Sequence, residues 1–350
     1  MKNPFRILSI DGVGILCIIP AKILETIEEK TGLPTFEMFD LIAGTSTGGI
    51  IALGLTKPKT VGKQEAKFKA QDLVKLYQDN GSTIFNQPSL FRKFRMIFNQ
   101  AKFSSQGRSN VLNRYFGDTL LQDALKDVLI ASYDIEKRIP GLFTKSNQDS
   151  NSLTPHKLFD GVMMKHAAMA TSAAPTYFEP YQVEVNNSGK HTLVDGGLFA
   201  NNPASLATTD VVSNFIRKTR LRTLDVNEIL VVSLGTGSLQ KSYSFRKTKD
   251  WGALQWVKPV IDISMDGNSA AIHNQMLQIF EQATDQEPHY YRFNPILSEL
   301  NEAMDDASSS NIDALMKLAD KEINEHQLEL NELCALLVKH KSPWRGPEFM

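Results

Sequence analysis

Ser46 stands between Gly44 and Gly48 in Phe39-Asp40-Leu41-Ile42-Ala43-Gly44-Thr45-Ser46-Thr47-Gly48-Gly49-Ile50, where an apolar strand pattern gives way to an apolar helix pattern. This spacing reads as a nucleophile elbow. Glycines without Cβ let the chain turn sharply, so the serine hydroxyl projects at the carboxyl edge of a sheet, beside the first N–H groups of a helix. A Gly-rich turn that only packs tightly is the competing reading, and the strand before and helix after weigh against it. A serine hydroxyl is a weak nucleophile until a neighbouring base takes its proton. Asp195 ends the strand-like run His191-Thr192-Leu193-Val194 and precedes Gly196-Gly197, which places a carboxylate at such an edge. Taken alone, Asp-Gly reads as an ordinary turn; beside a serine it reads as a base. The third piece is Gly12-Val13-Gly14, directly after the strand-like Phe5 to Ile10 and Asp11. Its backbone N–H groups could face the oxygen of a tetrahedral intermediate. A nucleotide-phosphate loop is the alternative there, weakened by the absence of both the dinucleotide fingerprint and the Walker lysine spacing.

Strand-like runs at 5–10, 39–43, 127–133, 140–144, 191–194 and 228–234 alternate with helical patterns at 20–31, 50–56, 71–78 and 162–171. The alternation predicts an α/β fold with a largely parallel central sheet, and Asp11, Ser46 and Asp195 all fall at carboxyl ends of strands. Pro20 suits the first turn of a helix and Gly32 its C-terminal stop. Gly235-Thr236-Gly237-Ser238 is another strand-to-loop turn, read as structural because it offers no acid, base or metal ligand. From 297 onward the pattern turns helical: Leu297, Leu300 and Met304, a break over 305–311, then apolar positions from Ile312 to Leu337. The chain is thus expected to divide into a domain at 1–296 and a helical extension at 297–350 packed on it. A dimerisation surface is the alternative use of those helices, which leaves a homo-oligomer open.

With 350 residues, 42% hydrophobic content and net charge −1, the chain can bury one large core and carries no basic bias toward nucleic acid. Cys17 and Cys334 are its only cysteines, which suits a reducing cytoplasm better than a disulfide framework. The chain opens on its first strand without a charged-then-apolar leader, and no run reaches the roughly 18 apolar residues of a membrane span. Any membrane contact is therefore expected to be peripheral. Between Asp79 and Asp118 there is no acidic residue, while Arg92, Lys93, Arg95, Lys102, Arg108 and Arg114 interleave with Phe85, Phe91, Phe94, Phe98 and Phe103. Such a mixture suits an anionic membrane interface or a lid, and equally a cap whose rings pack on the core; contact with a nucleotide or single-stranded nucleic acid is a weaker option. His326 and His340 form no metal pattern, and the chemistry outlined needs no cofactor.

The three pieces, in this order, resemble the patatin-like phospholipase family, which hydrolyses acyl esters of lipids with a serine-aspartate dyad. The resemblance spans about residues 5 to 240, and Ala173-Ala174-Pro175-Thr176-Tyr177-Phe178 adds to it. It implies a three-layer fold, Ser46 as nucleophile, Asp195 as base, Gly12, Val13 and Gly14 as oxyanion loop, and membrane phospholipid as substrate. Residues 1 to 60 look most like bacterial patatins that act in cyclic-nucleotide antiphage signalling. That likeness implies a cyclic dinucleotide activator, a role in antiviral defence and a place at the inner membrane when active. One departure stands out: the family pattern Asp-Gly-Gly-Gly-x-Arg-Gly reads here Asp11-Gly12-Val13-Gly14-Ile15-Leu16-Cys17. A valine is strained where a turn needs positive φ, so weakened hydrolysis is expected, and an impaired fold that binds lipid or nucleotide is the rival function. The rival mechanism is a triad using His273, His289, His326 or His340.

Overall fold

Three mainly apolar strands form the centre: β1 (Phe5–Ile10), β2 (Leu41–Thr45) and β8 (Ile229–Leu234), buried on both faces as parallel strands between helical layers must be. The computed structural model describes residues 4–85, 101–145, 156–186, 188–219, 226–239, 242–281, 288–298 and 303–339. Among them a nine-stranded sheet runs β5-β4-β3-β2-β1-β8-β9, with β3 (Asp127–Asp134), β4 (Ile139–Thr144), β5 (His156–Leu158) and β9 (Tyr290–Phe293). The pairs from β3 through β2, β1 and β8 to β9 are parallel, while β4 is antiparallel to β3. The hairpin of β6 (Tyr181–Val185) and β7 (Gly189–Asp195) joins through an antiparallel pairing of β7 with β3.

Helices cover both faces, giving three layers. One face carries α1 (Ile18–Thr31), α2 (Ser46–Thr56), α3 (Ala70–Phe85), α4 (Ser105–Phe116) and α5 (Met164–Thr171) around the larger hydrophobic core. The other carries α6 (Ala204–Thr219) and α7 (Ala253–Phe280), with Ala204, Ala207, Val211, Met276 and Phe280 against the sheet. Helix α1 starts two residues before Pro20, after a 3-10 turn at Gly14–Cys17, and ends at Gly32 in the left-handed conformation. Helix α2 is buried all round, and α8 (Ser309–Glu325) and α9 (Gln327–Lys339) pack through Leu315, Leu330, Leu333 and Leu337 into the larger core beside α1.

The expected helix beginning at 297 is not what forms. Leu297 is not helical, its N–H donating to Ser238 O at 3.0 Å, and the first described helix beyond it starts after Ser308, whose hydroxyl caps the N–H of Asn311. Met304 is drawn instead to the N-terminal glycine loop, where its carbonyl accepts the Ile15 N–H at 2.9 Å. Leu300 lies outside the described residues. No described helix is long and apolar enough to cross a membrane. In the described part of the basic, aromatic stretch Phe85 and Phe103 are core, Arg108 is buried and Lys102 pairs with Asp305, while Arg114 is exposed and bonds Asn80. The described part forms a cap on the core, while Phe91, Arg92, Lys93, Phe94, Arg95 and Phe98 lie outside the described residues.

Candidate active site

Registry on β3 explains why two residues so far apart in sequence meet. Thr45, the last residue of β2, pairs with Ala131 of β3; Asp195, the last residue of β7, pairs with the next residue, Ser132. Strands β2 and β7 therefore occupy one lane beside β3 and approach from opposite directions, end to end. Ser46 follows one end and Asp195 closes the other, and the Ser46 hydroxyl donates to Asp195 Oδ2 at 2.6 Å. Gly196 is required at this junction because a Cβ there would overlap the backbone of Ala131.

Ser46 itself has φ +53°, a left-handed conformation rare outside glycine, and this is the strained turn that an elbow demands. The strain is held from three sides. A Cβ on Gly44 would overlap the Gly48 carbonyl, and one on Gly48 would overlap the carbonyls of Ile10 and Asp11, so only glycine lets β1 and α2 approach this closely. The Ser46 N–H donates to Thr171 Oγ1 at 2.8 Å, and that hydroxyl donates onward to Ala131 O at 2.5 Å.

The glycine loop lies directly against the serine: a Cβ on Gly12 would overlap Thr45 O and crowd the Ser46 Cβ, and one on Gly14 would overlap Met304 O. Gly14 has φ +53°, whereas Val13 sits at φ −137°, ψ 75°. The strain expected of a β-branched residue in this loop is therefore absent, because the positive φ falls on the neighbouring glycine. Leu16 is buried, and the Cys17 thiol, pushed up to about 12 by burial, accepts from Thr47 Oγ1 at 2.9 Å; it is a packing residue and not a nucleophile. Asp11 fixes the start of the loop. Its carboxylate accepts two hydrogen bonds from Arg292 of β9, at 2.9 and 2.6 Å, and one from Ser269 of α7 at 2.7 Å.

Burial pushes the Asp195 carboxyl up to about 7, against the pull of the Ser46 hydroxyl, the Gly197 N–H at 2.8 Å and the Arg108 charge. Arg108, lowered to about 10 by its own burial, lies over the Phe178 ring and donates to Ser172 O, while its Nε and Nη2 have no hydrogen-bond partner among the described residues. Ser46 and Asp195 are each 2% exposed. The Met265 methyl of α7 fills the space above Gly197, and the cavity over the glycine loop measures about 30 Å³, room for a water. The carboxylate of Asp195 is close enough to take the serine proton directly, and the loop is close enough to face a developing oxyanion.

The histidines of a triad are engaged elsewhere: His273 with Tyr290 at 3.1 Å, His289 with Ile229 O at 2.8 Å, and His326 with Glu329 at 3.2 Å. His340 lies outside the described residues. A Ser188-His191-Asp134 chain does exist, at 2.8 Å for each link, but Lys137 Nζ stands 3.1 Å from the same ring nitrogen, and Asp134 caps the N–H groups of Glu136 and Lys137. It reads as a clamp on the β6–β7 hairpin. Among the described residues no cluster of His, Cys, Asp and Glu could hold a metal ion. Sequence reading missed Thr171, Arg108 and Arg292 as site neighbours. Thr171 stands just before the singled-out Ala173 to Phe178 segment, and Arg108 was hidden in a basic run; nothing local in Tyr290-Tyr291-Arg292-Phe293 points to Asp11.

Fold and site together define an α/β protein with a serine elbow, an opposed aspartate and a glycine loop at one sheet edge. Residues 8–208 match the patatin-like phospholipase family model, and the chain belongs to that family. It is 32% identical to Patatin-like protein 1 of Arabidopsis thaliana, over 93% of this chain and 83% of the relative. It is 31% identical to Patatin-08 of Solanum tuberosum, over 91% and 84% respectively. It is also 31% identical to the Probable inactive patatin-3-Kuras 1 of Solanum tuberosum, over 93% and 89%.

Proposed function

We propose that the protein is a lipid acyl hydrolase, a phospholipase A type of serine esterase that cleaves acyl esters of membrane phospholipids. Ser46 attacks the ester carbonyl and Asp195 takes its proton. The carbonyl oxygen becomes an oxyanion faced by the backbone N–H groups of Gly12, Val13 and Gly14, and the tetrahedral intermediate collapses to an acyl-serine as the lysophospholipid alkoxide leaves with the proton from Asp195. Water, deprotonated by Asp195, then releases the fatty acid. The observation that carries this reading is the 2.6 Å hydrogen bond from Ser46 to Asp195 at a positive-φ elbow. A base of low intrinsic basicity is made competent here by burial, which brings it toward neutrality. No cofactor enters the scheme, and contact with the membrane is peripheral.

The test is free fatty acid release from mixed phospholipid vesicles by the full chain, with a fluorophosphonate label mapped by peptide analysis. Label on Ser46 with release lost in Ser46→Ala is the expected result. Label on Ser188 moves the nucleophile to the hairpin chain, and neither label nor release leaves a lipid- or nucleotide-binding module. On the likeness of residues 1 to 60 to cyclic-nucleotide effectors, the assay is run with and without a cyclic dinucleotide. An unchanged rate, with no heat of binding in calorimetry, removes the activator and the antiviral role with it.

A further inference from the structure

Helix α7 roofs the serine-aspartate pair, and up to Ser269 its two sides are inverted relative to an ordinary surface helix. Toward the protein it is tied largely by polar groups: Ser264 Oγ donates to Leu198 O at 3.0 Å, Asn268 Nδ2 to Phe199 O at 2.7 Å and Ser269 Oγ to Asp11 at 2.7 Å. Met265 is the apolar plug between them. Away from the protein, at spacings of four, three and four residues, stand Trp256, Val260, Ile263 and Gly267, with Val257 adjoining. At 100° per residue these lie opposite Met265, Ser269 and Met276, the buried positions. Val257, Val260 and Ile263 are 45%, 54% and 49% exposed, and at the helix start Leu254 is 89% exposed. The stripe then stops, since the later positions on the same face are Asn274 and Gln278.

The turn that leads into α7 continues this surface. Phe245 is 81% exposed on the short helix Phe245–Thr248, and Tyr243, Trp251 and Trp256 stack edge to face at centroid spacings of 5.6 and 5.2 Å. Arg246, Lys247 and Lys249 are exposed beside them, with Asp250 the one acid between 242 and 252. Indole rings at the edge of an apolar stripe, next to cations, match the layered chemistry of a bilayer surface: acyl boundary, headgroup carbonyls, anionic phosphates. A second copy meeting this face by two-fold symmetry would bring the same cations toward each other.

We infer that the outer face of α7 and the turn before it dock on an anionic phospholipid bilayer, so that the roof of the active site is itself the membrane contact. The inference rests on the lipid hydrolase reading and gives that reading a surface on a different element from the 79–118 segment. Docking here brings the acyl chains of the bilayer to the helix that stands between them and Ser46. Few apolar contacts hold the N-terminal half of that helix down, and Pro259 removes one of its internal hydrogen bonds.

The experiment is flotation of the full chain, carrying Ser46→Ala, with vesicles of phosphatidylcholine alone or with phosphatidylglycerol added. Binding to the mixed vesicles is expected to fall by about tenfold or more in Val257→Glu/Val260→Glu/Ile263→Glu, since three acids then face the interface. Glutamate is a strong helix former, so circular dichroism and thermal midpoint should not change. The second variant, Arg246→Gln/Lys247→Gln/Lys249→Gln, should lose the preference for phosphatidylglycerol and the salt dependence that goes with it. Binding that is absent in the native chain, or unchanged in the glutamate variant, overturns the inference. So does a native dimer that the glutamate variant dissociates while vesicle binding stays the same. Hydrolysis of a dissolved short-chain ester, which needs no surface, separates the two readings. If the ester is cleaved and no vesicle binds, the hydrolase stands and the docking face falls. If vesicles bind through this face and no ester is cleaved, the reverse holds.

Discussion

Val13 and Gly14 look alike as departures from, and matches to, a glycine-rich loop, yet their backbones assign them opposite tolerance. Val13 at φ −137° gains nothing from becoming glycine, whereas Gly14 at φ +53° has the Met304 carbonyl where a Cβ would stand. In ester hydrolysis, Val13→Gly should therefore stay within about twofold of the native rate, and Gly14→Ala should lose about a hundredfold, the order of one preorganised donor. Restoring the full family pattern with Leu16→Arg should fail for a further reason: Leu16 is buried beside a cavity of only about 30 Å³, so the longer side chain overpacks the loop, and Asp11 already holds Arg292. The proposed base gives a second contrast. Asp195 must be ionised to accept the serine proton, so the rate should rise with pH around a midpoint near 7 and vanish in Asp195→Asn at every pH. Arg108 lowers that midpoint by its charge. Arg108→Gln should move the pH–rate profile upward by on the order of one pH unit, a shift that a packing defect alone would not produce.

Element by element, the parts legible in the sequence were those whose chemistry is local. The elbow, the strand before Asp195 and the capped helix α1 each announce themselves within about a dozen residues, through glycine spacing, apolar runs and a Pro–Gly pair. What was not legible depends on long-range pairing. That β7 runs antiparallel to β3 and shares a lane with β2 cannot be read from His191 to Asp195, and no pattern in 297–304 foretells that Met304 will close over Gly14. Helix α7 was missed because, up to Ser269, its buried face is interrupted by serine, asparagine and proline while its outer face is apolar, the inverse of the pattern that marks a helix on a core. The clamp from β9 is the plainest case. Arg292 ties Asp11 to Ser233 at 2.7 Å and to Ser269 at 2.9 Å, joining three strands and α7 at the root of the glycine loop. Arg292→Met should cost about 3 to 5 kcal/mol in urea unfolding, because it leaves the Asp11 carboxylate buried and unpaired. The double change Asp11→Asn/Arg292→Met should recover part of that loss. Equal costs in the single and double variants would show that the two groups do not act as a pair.

For the whole molecule, the buried base is a cost that stability measurements should register. Asp195 titrates near its ordinary value, about 3.9, in the unfolded chain and near 7 in the folded one. Between those two values the folded chain binds more protons, so this residue contributes stability that is fully present at low pH and is lost as pH rises through 7. Other groups tilt the curve too. Burial raises Glu322 in the same direction, while His166 and His273, lowered by burial, favour the folded chain as pH rises through theirs. The difference between the native chain and Asp195→Asn cancels those shared contributions. Asparagine carries no charge to desolvate, so its stability relative to the native chain should improve steadily from pH 4.5 to pH 8. A rise of about three pKa units corresponds to roughly 4 kcal/mol, an upper bound on that improvement. Urea unfolding at the two pH values measures it. A gap that does not change with pH would mean that the Asp195 carboxyl ionises as easily as an exposed one, and the midpoint assigned to the pH–rate profile would fall with it. A gap that grows as expected would tie the two observations to one cause: the fold keeps a carboxylate dry enough to act as a base near neutrality, and is less stable for doing so.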